Sequence, residues 1–139
     1  MADLESLVLE ATDENMEKVN EFVHRMLPPD AEKGAACKID LAVEEIFVNI
    51  AHYAYKNSVG SAEICCGISS ETDGRTLTLI FKDSGVPFNP LEQKDPDITL
   101  PAEEREIGGL GIFLTKKFMD SVDYIRDDCR NILTLRKKI

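Results

Sequence analysis

Leu41-Ala-Val-Glu-Glu-Ile-Phe-Val-Asn-Ile-Ala-His-Tyr-Ala-Tyr55 lies at the centre of the most regular pattern in this 139-residue chain. Read from Lys33 to Tyr55, apolar residues recur at Ile39, Val43, Ile46, Phe47, Ile50 and Ala54, the period of an amphipathic helix. Glu45 and Asn49 are four apart, so their side chains share a face one turn from each other. At about 100° per residue, with Ile39 as the centre of the apolar stripe, both fall beside the stripe rather than opposite it. Polar groups lining a pocket next to a core would sit there, whereas Glu44 points elsewhere. Taken alone, the pair reads first as a polar helix flank closed by a local hydrogen bond.

Outward from this helix the elements are mixed. Residues 4–11 read as a first strand. Thr12 or Asp13 is the expected N-cap of a helix over 14–27, with Met16, Val19, Phe22, Val23 and Met26 on its apolar side. Pro28-Pro29-Asp30 stops it. After the long helix, 62–69 alternates as a strand, and Asp73-Gly74 signals a hairpin into 75–82, where Leu77, Leu79 and Phe81 alternate with polar residues. A helix over 110–119 and a last hairpin, 122–126 with 132–136, complete one domain over residues 1–139. No internal repeat or domain boundary interrupts it.

Between the second hairpin strand and the last helix runs a proline- and charge-rich loop, from Ser84 to about Ile107. It is too long for a plain connection in a compact domain, and such loops are commonly lids, binding loops or disordered segments. Its 92–106 portion carries Glu92, Asp95, Asp97, Glu103, Glu104 and Glu106 against Lys94 and Arg105. Two glycine-bearing motifs flank it, which favours a lid over about 84–108.

The first of those motifs is Asp83-Ser-Gly-Val-Pro-Phe-Asn-Pro90. An aspartate ending an apolar strand can accept a hydrogen bond from an exocyclic amine. Gly85, two residues on, removes a Cβ where a flat ring would approach the backbone. A simple turn is the structural alternative. The second is Gly108-Gly109-Leu110-Gly111, which opens a helix and so offers backbone N–H groups at its positive end, a site for phosphate. A flexible hinge would use the same residues.

Composition narrows the function classes. The formal net charge is -10, from 26 acidic and 16 basic residues, which argues against nucleic acid or an anionic membrane as the main partner. A basic protein partner suits this surface better. The acidic N-terminus is not a signal peptide, and no apolar run has the length of a membrane span, so a cytoplasmic location is expected. Cys37, Cys65, Cys66 and Cys129 lack metal or CxxC spacing and read as ordinary thiols.

Taken together and in this order, LAVEEIFVNIAHYAY, FKDSGVPFNP, EREIGGLGIFLTKKFMD and RNILTL resemble the N, G1 and G2 boxes of the GHKL ATPase superfamily. Within it they look like the anti-sigma factor, or switch-protein serine kinase, family. The resemblance spans about Asp40 to Leu135. It implies an α+β two-layer sandwich of the Bergerat type: a mixed, mainly antiparallel sheet, helices on one face, and an ATP lid. It further implies ATP and Mg²⁺ as cofactors, with Asn49 on the metal and Glu45 as general base or orienting group. Asp83 would accept the adenine amine, with Gly85 allowing close approach. Gly108, Gly109, Leu110 and Gly111 would meet the phosphates, Arg105 would supply a phosphate or lid contact, and Thr134 would help bind adenine through water. Two features depart from the family pattern. The histidine often found four residues after the Asn is Tyr53 here, with His52 one place earlier, and the last hairpin tip is Asp127-Asp128-Cys129-Arg130 rather than glycine-rich.

Three activities fit this pattern. One is a serine/threonine kinase that phosphorylates a small anti-sigma antagonist protein and sequesters a sigma factor. Another is a catalytically idle ATP-dependent binding module. The last is a detached histidine-kinase catalytic domain, whose phosphoacceptor would lie on another chain because His24, in FVHRMLPP, lacks an acidic neighbour in its own segment. The first strand and helix, largely outside the resemblance, are available as a homodimer surface.

Overall fold

The structure is a computed structural model and describes residues 4–56, 58–92 and 110–139. Strand β1 (Glu5–Glu10) passes through a 3-10 turn (Asp13–Asn15) into helix α1 (Met16–Met26). The turn accounts for the later start of α1 than the spacing suggested. Thr12 is extended and caps without a side-chain hydrogen bond, its carbonyl accepting the Asn15 N–H at 3.0 Å. At the other end Leu27 is extended, with ψ 135°, as a residue preceding proline is biased to be.

Helix α2 (Lys33–Asn49) does not run to Tyr55 as a plain α-helix. From Asn49 it continues as a π-helical turn (Ile50–Ala54). Such turns displace the helical register by a residue and recur at functional sites. Strands β2 (Ser61–Glu71) and β3 (Gly74–Asp83) form the expected hairpin, whose backbone reaches φ +129° at Gly74. Helix α3 (Leu110–Phe118) leads into β4 (Ser121–Asp127) and β5 (Arg130–Lys138). Asp128 and Cys129 turn that last hairpin with φ 50° and 64°, the left-handed pair of a two-residue turn usually built on Asn-Gly or Gly-Gly.

The sheet order is β1-β2-β3-β5-β4. All four pairings are antiparallel, so the mixed sheet expected from the resemblance is corrected among the described strands. The reason is topological. After α3 the chain lays down β4 at the outer edge, and β5 returns between β4 and β3, antiparallel to both. The described helices cover one face. Against it, Ile64, Cys66, Leu77, Leu79, Phe81 and Leu135 from the sheet pack with Ile39, Val43 and Phe47 of α2 and Val19 and Val23 of α1. Adjacent Cys65 and Cys66 point to opposite faces, and burial pushes the Cys66 thiol up to about 12. All four cysteines are free. Among the described residues, no helix is long and apolar enough to cross a membrane.

Candidate functional site

The end of α2, the C-terminal end of β3 and the start of β5 line a cleft that is partly open to solvent, a concave, mostly apolar setting of the kind small ligands use. Asn49 from α2 and Asp83 from β3 line it. Its walls are apolar, with Ile46, Ile50, Phe81 and Leu133 deep inside and Val86, Pro87 and Phe88 from the following loop. Residues 84–92 of the predicted lid therefore form part of a wall, ending in a 3-10 turn at Pro90–Glu92. The rest of the predicted lid, with Arg105 and Gly108, lies outside the described residues, as does Gly109 after it.

Asp83 is 6% exposed. Its Oδ1 accepts two hydrogen bonds, from the Gly85 N–H at 2.9 Å and from Asn131 Nδ2 at 3.0 Å. Among the described residues no hydrogen bond reaches Oδ2, which leaves one acceptor for a ligand in the cleft. Gly85 is needed for a reason the sequence does not show: a Cβ there would fall on the carbonyl oxygen and Cβ of Ala54. That close approach is held by the Val86 N–H on Ala54 O at 3.0 Å. Tyr55 buttresses the same junction. Its hydroxyl donates to Ser61 O at 2.6 Å and accepts the Ser84 N–H at 2.8 Å.

Asn131 is a site residue that the motifs do not reveal, since by sequence it belongs to the hairpin tip. It is 6% exposed and saturated. Besides Asp83, its Nδ2 donates to Val86 O at 2.8 Å, and its Oδ1 accepts the Phe88 N–H and the Tyr124 hydroxyl. Strand alternation holds the signal, because Asn131 shares parity with Leu133 and Leu135 and therefore faces the core side. The same parity puts Thr134 on the other face of the sheet, opposite Ile80, and Thr134 does not line the cleft. Asp83 instead lies directly across from Asn131.

Glu45 and Asn49 stand one turn apart but border different hollows. Asn49 lines the cleft, while Glu45 lines a neighbouring depression with Leu41, Glu44, Val48, Leu114 and Gly111. The Glu45 carboxylate occupies the space that a side chain at Gly111 would need, so the start of α3 is pressed against this acid. Leu110 supplies the first residue of that helix.

Tyr53 takes the place at the cleft mouth, 64% exposed. His52 is turned away, with Nε2 hydrogen-bonded to the Asp13 carboxylate at 2.8 Å. His24, without an acidic neighbour in its own segment, finds one in the fold: Asp40 of α2 lies 2.5 Å from its Nε2. Among the described residues no group of three His, Cys, Asp or Glu side chains could hold a metal by itself. A single amide oxygen at Asn49 suits a hard cation that keeps waters and takes its other ligands from phosphate oxygens.

Comparison with known proteins identifies the family of the fold. The family described as histidine kinase-like ATPase domain matches residues 9–137. Serine-protein kinase RsbW of Bacillus mycoides (strain KBAB4) is 31% identical over 97 residues, covering 67% of this chain and 58% of that protein. Serine-protein kinase RsbW of Bacillus thuringiensis subsp. konkukian (strain 97-27) is 32% identical over 97 residues, with the same coverage. The match thus spans less than two thirds of these relatives' length.

Proposed function

The chain belongs to the histidine kinase-like ATPase family, and from that premise we propose that it binds ATP with Mg²⁺ and is a serine/threonine protein kinase of the anti-sigma type. Its substrate is a small antagonist protein bearing the phosphorylatable Ser or Thr, and its second partner is a sigma factor that it sequesters. The similarity to proteins named serine-protein kinase RsbW favours this reading over the idle module and the histidine relay.

The observation that carries nucleotide binding is the buried Asp83 with one oxygen held and one open to an apolar cleft. An adenine ring fits such a cleft by burying its faces and giving one amine hydrogen to Oδ2. The Mg²⁺ ion, when bound, neutralises charge on the transferring phosphoryl group. Asn49 is the residue that would hold it. Glu45 would orient the attacking hydroxyl and accept its proton, and Gly111 lets the helix start sit against that carboxylate. Gly108, Gly109 and Leu110 lend amides to the phosphates, Arg105 closes on them from a lid spanning about 84–108, and the unit acts as a single domain in the cytoplasm.

Incubation with labelled ATP, Mg²⁺ and candidate antagonist proteins tests the reading. Acid-stable phosphoserine or phosphothreonine on the antagonist is expected. Acid-labile phosphate would point to a histidine relay instead, and binding of ATP without transfer to the idle module.

A further inference from the structure

Oδ1 of Asp83 has two lone pairs, and both are used by the protein, one on the Gly85 N–H and one on Asn131 Nδ2. Asn131 cannot turn to offer its amide elsewhere. Its two N–H bonds go to Asp83 and Val86 O, while its carbonyl oxygen holds the Phe88 N–H and the Tyr124 hydroxyl. Flipping the amide would set its oxygen against the Asp83 carboxylate and its N–H groups against the Phe88 N–H. Arg126 adds a further tie from β4 to the same loop, donating to Gly85 O at 2.9 Å. The carboxylate is therefore locked in orientation by β5, with one free acceptor, Oδ2.

From this geometry we infer that Asn131 is the positioning residue that makes the cleft choose adenine over guanine. The inference rests on the reading of the cleft as a nucleotide site. Adenine presents a single amine to one acceptor. Guanine, meeting a carboxylate, gives two parallel hydrogen bonds from N1–H and its 2-amino group, and these need both oxygens free. With Oδ1 saturated, the second guanine donor is left unpaired in a buried site, a mismatch that strongly disfavours binding. In the pose suited to adenine, guanine would instead bring its O6 against Oδ2, acceptor to acceptor. Asn131 touches no base in this scheme. It acts through Asp83 and through the shape of the 83–88 segment.

The test is titration calorimetry with Mg·ADP and Mg·GDP on the full chain, comparing wild type with Asn131→Thr and Asn131→Val. These two variants have nearly the same shape and both suit a strand, but only threonine keeps a donor for Asp83 Oδ1. Wild type should prefer ADP by about 100-fold. Asn131→Val should narrow the ADP/GDP ratio by about tenfold, the worth of one hydrogen bond, and Asn131→Thr should stay close to the wild-type ratio. A ratio that is the same in all three proteins overturns the inference while leaving the nucleotide reading intact. Failure of the wild type to bind either nucleotide overturns both. A merely structural role for Asn131 would lower both affinities together and would not restore the ratio with threonine.

Discussion

The carboxylate of Glu45 fills the space that a side chain on Gly111 would occupy. This ties the acid proposed as the base to the first turn of α3, the helix that follows the glycine loop. A change at either residue is felt by the other.

Gly111→Ala should separate stability from activity. Alanine is favoured over glycine in a helix by up to about 1 kcal/mol, less in the first turn where Gly111 sits, and the obstacle is the far end of a flexible side chain, which can move. The melting temperature should hold or rise. Phosphoryl transfer should fall by about tenfold or more, because the displaced carboxylate no longer meets the hydroxyl. Thermal melts beside a transfer assay check both arms.

Gly85→Ala should behave in the opposite way. Here the added methyl meets the backbone carbonyl of Ala54, which cannot yield without breaking the Val86 N–H bond. We expect a loss of about 1–3 kcal/mol in urea unfolding, with weaker ADP binding in calorimetry.

Glu45→Ala should keep Mg·ATP affinity and lower transfer to the antagonist by about 10²–10⁴-fold. Unchanged transfer in this variant would remove Glu45 from the chemistry. Asn49→Ala should instead weaken Mg²⁺-dependent nucleotide affinity, and an unaltered Mg²⁺ dependence would refute its role as metal post.

Acid stability should carry a contribution from Glu63. The Arg130 guanidinium, hydrogen-bonded at 3.1 Å, holds this carboxyl below its ordinary value of 4.5 against the opposing effect of burial. A lowered folded value means stability that is present above pH 4.5 and lost as pH falls through the folded value. Both side chains are partly exposed, so less than about 1 kcal/mol is at stake. Glu63→Gln should flatten the acid limb of the urea midpoint against pH, and an unchanged slope would show that the pair contributes nothing.

Cys129→Gly should stabilise the protein. Cys129 has φ 64° in the last hairpin, a conformation costing an ordinary residue about 1 kcal/mol that glycine adopts freely. A rise of a few degrees in melting temperature is expected.

The elements with strong periodicity were legible because burial alone specifies them. The α2 stripe, the alternation of β3 and the Asp73-Gly74 turn each announce one face or one bend. The spacing that puts Glu45 and Asn49 one turn apart was legible too, but not that they border different hollows, nor that Gly111 is pressed against Glu45. The π-helical turn did not show in the local spacing; it ends at Ala54, which the fold sets against Gly85, thirty-one positions away in sequence. It leaves Tyr53 at the cleft and His52 on Asp13.

By itself, then, the sequence determined the order of helices and strands, the family resemblance, and two residues, Asn49 and Asp83, that the fold sets in one cleft. Local spacing and turn chemistry are short-range, and they can be read along the chain. Tertiary structure alone decided which residue of β5 stands beside Asp83. That depends on strand register: alternation keeps Asn131 on the inner face, but a slip of two residues would set Leu133 rather than Asn131 across from Asp83. The return of β5 between β3 and β4 fixed the register, and with it gave Asp83 a fixed orientation and a single free acceptor.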